Sequence, residues 1–244
     1  MFIDHVHEMF SSAGAPFWLD WFGGPVGTIF FFLSVEGFTH THDQKRYLLR
    51  LLTGFWVMQL GNQLVQDFFK AGNMTIVNNI FCDLFIGVLT MYGFQLISQG
   101  CRAHQPKKIG LAIGLILAPI IMGLIFMAAG SFTPWLAKAI YLTIPTIFTT
   151  ENFWLLYVGP IMYLLRRHRN YQLVAIAAFA LASTNFQFAH LLTSNTLWMR
   201  VFAIIPIYFY NGRLGKRMKG FFYAFYPLHI WALYILAAVL GVKG

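Results

Sequence analysis

Long apolar runs, separated by short polar or basic breaks, divide this chain into a series of membrane-crossing segments. Val26 to Phe38, Tyr47 to Phe69, Ile76 to Ser98 and Ile109 to Gly130 are the clearest in the first half. Tyr171 to Leu192, Trp198 to Tyr210 and Gly220 to Val242 complete the second. An apolar layer about 30 Å thick takes about 20 helical residues at roughly 1.5 Å each, and the longer runs meet that length. Residues 1–13 read as the second half of a crossing, since at that rise they reach only about 20 Å. Either the sequence begins inside a longer helix or neighbouring helices support a truncated first crossing. Gly14 to Gly24, with Pro16, Trp18, Trp21 and Gly23-Gly24, reads as an interfacial turn with an aromatic belt. Residues 131–166 are interrupted by Pro134, Lys138, Pro145 and Pro160.

Composition agrees with that pattern. Hydrophobic residues make up 58% of the chain and charged ones 10%, against about 25% charged in an average soluble domain. The fold class is therefore all-α, a polytopic membrane helix bundle of about nine or ten helices, forming one domain over residues 1–244. The net charge of +9 does not point to nucleic acid, because the cations sit in short clusters between apolar runs, where they set orientation. Lys45, Arg46 and Arg50 follow the second crossing, and Arg102, Lys107 and Lys108 follow the fourth. Arg166, Arg167 and Arg169 precede Tyr171, and Arg213 to Lys219 precede the last run. The positive-inside rule places all four clusters in the cytoplasm. Residues 132–165 must then cross an odd number of times. Pro134 to Phe148 reads as an outer-face interfacial or re-entrant helix, and Asn152 to Leu165 as a short crossing. Nine crossings result, with the N-terminus inside and the C-terminus outside. Cys82 and Cys101 form no metal spacing and no disulfide framework. There is no internal repeat and no signal peptide, so the expected location is a multi-pass position in a cytoplasmic membrane.

Any chemistry must come from polar groups at membrane depth. The first segment carries Asp4, His5, His7 and Glu8, and the second carries Ser34 and Glu36 near its inner end. Gln59, Asn62, Gln63 and Gln66 stripe the third, while Asn78, Asn79 and Asp83 mark the fourth. Asn185, Gln187 and His190 lie in the segment that begins at Tyr171. Each costs free energy unless paired, so together they imply a hydrated cavity or a connected network. Asp4 beside His5 suggests an oriented general base. Adjacent helical residues point about 100° apart, however, and hydrogen bonding between helices is the plainer reading. His5-x-His7 lacks the i, i+4 spacing of a helical zinc site, so no metal is expected. His40 and His42 read as solvated loop residues, and Glu36 as a carboxylate that Arg46 or Arg50 could neutralise. The basic clusters either hold phosphates or only orient the chain and touch anionic lipid. His229 lies nine residues into a helix starting at Gly220, about 14 Å deep, as a catalytic group or a structural hydrogen bonder.

Four blocks carry a family resemblance: IDHVHEMF at 3–10, FFFLSVEGFTHTHDQKRYLLRLL at 30–52, NNIFCDLFIGVL at 78–89 and YNGRLGKRMKGFFYAFYPLHIWALYIL at 210–236. The chain resembles the TraX family, integral membrane proteins of conjugative and pilus systems, whose known member is implicated in acetylating the pilin N-terminus. The family is in turn similar to the transmembrane acyltransferases. By that resemblance, the Asp-His pair of the first helix corresponds to Asp4-His5, and the Tyr-Pro-x-His motif of the last to Tyr226, Pro227 and His229. Family members carry more apolar sequence before the Asp-His, and a Gly-Arg where this chain has Gly23-Gly24.

The resemblance implies an acyltransferase of the bacterial inner membrane. It would move an acetyl group from cytoplasmic acetyl-CoA to a protein amine, such as a pilin, or to a cell-envelope glycan. His5 would be the base and Asp4 its orienter, with His229 and Tyr226 as oxyanion donor or second acid-base group. Lys45, Arg46, Arg50, Arg213, Lys216 and Arg217 would hold the CoA phosphates. Glu36, Asn78, Asn79 and Asp83 would line the substrate cavity. Two other classes remain open: a proton-coupled transporter using the same groups as a relay, and a non-catalytic pilus-assembly protein.

Overall fold

The computed structural model describes residues 1–151, 155–193, 195–213 and 218–242, and among these every regular element is helical. The helices are α1 (Phe2–Phe10), α2 (Gly23–His40), α3 (Gln44–Phe68), α4 (Ile80–Arg102), α5 (Pro106–Phe132), α6 (Pro134–Thr143), α7 (Val158–Leu164), α8 (Arg169–Ala182), α9 (Ile204–Phe209) and α10 (Lys219–Val239). Among the described residues, four stretches are long and apolar enough to cross a membrane: Phe17–His40, Ile80–Arg102, Pro106–Phe132 and Gly220–Val239. The chain divides into two compact units. One holds residues 1–32, 60–76 and 165–244, the other 33–59 and 77–164, so α2 and α3 each contribute to both.

The second unit is built on the hairpin of α4 and α5. Pro106 occupies the first turn of α5, where a missing N–H costs nothing. Gly93 and Gly100 of α4 face Ile116 and Ile109 of α5 so closely that an added Cβ would stand 2.6 Å and 2.7 Å from those side chains. Small residues that let helices approach replace the hydrophobic drive that lipid removes. Asp43 opens α3: its Oδ1 accepts from the Arg46 N–H at 2.9 Å, which holds the carboxyl below its usual range. Cys82 lies buried against Thr149 (3.4 Å) and the Thr146 carbonyl, a packed thiol.

In the first unit the polar stripe of α3 is consumed by structure. Gln66 clamps Ile76 from both sides, donating to its carbonyl (3.3 Å) and accepting its N–H (2.9 Å). Trp231 of α10 donates to Asn62 at 2.8 Å, and Tyr234 donates to the Met74 carbonyl. The stripe marks hydrogen-bonded packing, which answers one of the two alternatives that the sequence left open.

Several stretches differ from expectation: the helix expected over Pro134 to Phe148 ends at Thr143, and Leu197–Ala203 is a tighter 3-10 stretch ahead of α9. The run from Tyr171 ends as a helix at Ala182, because Ser183 and Thr184 turn their hydroxyls back onto Ala180 and Leu181 carbonyls. Asn185, Phe186 and His190 then take positive φ, so Asn185, Gln187 and His190 stand in a loop. The fourth helix begins at Ile80 instead of Ile76, which puts Asn78 and Asn79 in the extended lead-in. Asn152 to Trp154 of the expected short crossing fall outside the described residues, as do Lys216 and Arg217.

Candidate active site

The amphipathic pattern of α1 turns His5 and Met9, one turn apart, into the protein. The buried face of α10 carries Tyr226, Ile230, Leu233 and Ala237, with His229 beside them at 5% exposure. The two helices pack together, and His5 Nδ1 meets His229 Nε2 at 2.9 Å across 224 residues of sequence. The two imidazoles are stacked with 5.1 Å between centroids. Phe225 stacks on His229 at 4.8 Å, and Tyr226 sets its ring edge-on to both histidines at 6.3 and 5.7 Å.

The hydrogen-bond partners fix the tautomers. His229 Nδ1 lies 2.6 Å from the Phe225 carbonyl, which only accepts, so that nitrogen carries the proton. With both rings neutral, His229 Nε2 is then a lone pair and must accept from His5 Nδ1–H. That leaves the His5 Nε2 lone pair as the basic site of this histidine pair. Glu8 Oε2 lies 3.8 Å from it, so an imidazolium formed there gains a carboxylate neighbour. The i, i+3 spacing of His5 and Glu8 made this contact possible from sequence, but nothing in the pattern singled it out.

Asp4 does not orient His5 by hydrogen bond. Its Oδ1 is 2.6 Å from the Met1 amino group, an ion pair without hydrogen-bond alignment, and its carboxylate packs against Gly23, where a Cβ could not fit. The 100° offset between neighbouring helical residues is the physical reason; the hydrogen-bond partner of His5 is His229. A second histidine–carboxylate pair, unrecognised in the sequence, joins His7 Nδ1 to Asp20 Oδ1 at 2.7 Å.

The remaining expected residues divide between the units. Glu36, Asn78, Asn79 and Asp83 belong to the second. There Asn79 donates to Gln59 (2.9 Å) and the Phe55 carbonyl (3.2 Å), and Asp83 accepts the Glu151 N–H at 3.1 Å. Glu36 lies 3.8 Å from His40 on the same helix. Lys45, Arg46 and Arg50 are exposed on the first turns of α3, with Arg46 3.5 Å from Asp43 and Arg50 over the Tyr47 ring. Arg213, exposed in a turn closed by Asn211, belongs to the first unit.

The family model described as TraX protein matches residues 1–237, so the chain belongs to the TraX family. No curated protein and no solved structure matches the chain.

Proposed function

We propose that this TraX-family membrane protein is an acetyl-CoA-dependent acyltransferase, with His5 Nε2 as the general base. The observation that carries the reading is the 2.9 Å contact between His5 and His229, which presents one unprotonated nitrogen of defined tautomer. As the acceptor amine or hydroxyl attacks the thioester carbonyl, its proton passes to His5 Nε2 and the thiolate of CoA departs. The positive charge on His5 is stabilised by the strengthened Nδ1–H bond to His229 and by Glu8. Tyr226, buried beside both rings, is the candidate donor to the developing oxyanion. The CoA phosphates call for cations that are accessible, and Lys45, Arg46, Arg50 and Arg213 are all exposed.

The topology that goes with this reading has nine crossings. The four long apolar stretches are supplemented by α1, α3, α7, α8 and the segment Leu197–Phe209. The N-terminus lies in the cytoplasm of a bacterial inner membrane, the basic clusters face the cytoplasmic donor, and the acceptor is a pilin-like amine or an envelope glycan. The test is transfer of radiolabel from acetyl-CoA to candidate acceptors by the purified protein, beside His5→Ala and His229→Ala. Thermal stabilisation by CoA that is lost on neutralising Lys45, Arg46 and Arg50 supports the reading. Absence of CoA binding at millimolar ligand overturns it, and label transfer unaffected by both alanine variants overturns the site.

A further inference from the structure

Arg200 stands in the short helical stretch Leu197–Ala203 that leads into α9, and it is only 3% exposed. Its Nε and Nη1 are enclosed and have no hydrogen-bond partner, which leaves three N–H bonds unused. Among the described residues it forms no ion pair. Its neighbours are the Phe179 ring, 5.8 Å from Cζ, and Gly24, where an added Cβ would stand 3.4 Å from the Arg200 backbone nitrogen and 3.6 Å from its Cγ. Asp4 packs on the adjoining Gly23, and no ion pair joins it to Arg200. One turn along α2 from Gly24, and so on the same face, Thr28 is fully buried with its hydroxyl unpartnered.

A buried guanidinium held only by an aromatic face is an incomplete arrangement. Arginine does not escape the cost of burial by losing its proton, and cation–π attraction offsets only a part of that cost. All these groups belong to one compact unit, so their arrangement is internal to it. Nη2 is not among the fully enclosed unpartnered atoms. We propose that Arg200 anchors a phosphate group, with the Thr28 hydroxyl as the second donor. A phosphate presents several acceptor oxygens to the planar donor fork and brings the charge that the site lacks. A free phosphate or a phosphodiester of a lipid headgroup would each supply it. The proposal stands independently of the acyltransferase reading.

The test is thermal unfolding of the full-length protein in neutral detergent, at constant ionic strength set with chloride. One arm adds inorganic phosphate and the other adds phosphatidylglycerol. The wild type is expected to gain stability saturably in at least one arm. A response to inorganic phosphate alone identifies soluble phosphate as the ligand, and one to phosphatidylglycerol alone identifies the headgroup. Arg200→Met removes the charge at similar volume. It should unfold at a higher temperature than the wild type without ligand, and should need at least about tenfold more ligand for the same shift. Thr28→Val, nearly isosteric, should raise the half-saturating concentration severalfold and, by removing an unpartnered buried hydroxyl, should not lower the ligand-free transition. The proposal is overturned if neither arm shifts the wild type, or if both variants respond as it does. It is also overturned if Arg200→Met is the less stable protein without ligand, since Arg200 would then be a packing residue.

Discussion

Removing His229 should disable the base without touching it. In the resting state His5 Nδ1–H donates to a neutral nitrogen 2.9 Å away. Once Nε2 takes the acceptor's proton, the donor ring becomes charged, and such a bond is worth about 1.5–3 kcal/mol. Only the gain over the neutral bond, about 1–1.5 kcal/mol, acts on the barrier, so His229→Ala should lower kcat about 5- to 13-fold, with KM for acetyl-CoA little changed because no donor contact is lost. His229→Gln should recover part of that loss, since its carbonyl oxygen can still accept from His5. Glu8→Gln should cost at most about fivefold, because the carboxylate is 42% exposed and 3.8 Å away, where an ion pair is worth about 1 kcal/mol or less. The double variant His5→Ala/His229→Ala should be no slower than His5→Ala alone, because the two rings act as one unit. Initial-rate kinetics with labelled acetyl-CoA on variants of matched circular dichroism check this. Additive losses in the double variant, or a His229→Gln as slow as His229→Ala, would refute the relay.

Replacing Lys45, Arg46 and Arg50 by glutamine should raise KM for acetyl-CoA, steeply at low salt, while kcat stays within about twofold; the salt dependence of KM separates this from a folding defect. Gly61→Ala would drive a methyl into the Trp231 ring and strain its bond to Asn62, lowering the unfolding temperature by several degrees in a thermal scan. The cap on α3 depends on an ionised Asp43. Its carboxyl is held below the ordinary value of 3.8 by the Arg46 N–H, so protection of the Arg46 amide is fully present above that value and lost as pH falls through the folded one. Amide exchange against pH reads this directly.

The helical class and most helix positions were legible because apolar runs of spanning length have few alternatives in lipid. Boundaries failed where local hydrogen bonding competed: the Ser183-Thr184-Asn185 run ends α8, a side-chain effect that hydropathy does not register. His5 and His229 were each visible as polar residues in apolar helices, but their meeting depends on two helices at opposite ends of the sequence packing together, which no periodicity encodes. The Asp4-His5 dipeptide drew attention by adjacency, whereas helical geometry gives the third- and fourth-neighbour contacts, Glu8 to His5 and Phe225 to His229. Arg200 was hidden because an arginine at the start of an apolar run normally reaches the interface.

What separates architecture from function in such a chain is unspent bonding capacity. Gln66 and Asn62 stand in an apolar helix and are suspected from sequence, yet their bonds to Ile76 and Trp231 are spent within their own unit. Their replacement should cost stability and little else. His5 Nε2 is different in kind, because the tautomer chain running from the Phe225 carbonyl leaves it as an acceptor with only a carboxylate near. Arg200 is the complementary case, a donor enclosed without an acceptor. Lipid penalises unused capacity more than water does, so the cost of keeping the His5 nitrogen and the Arg200 guanidinium uncommitted is recovered when a partner arrives. The two groups thereby predict opposite mutant signatures. Truncating His5 should abolish turnover and cost stability through the lost bond to His229, whereas neutralising Arg200 should raise ligand-free stability while removing a binding response.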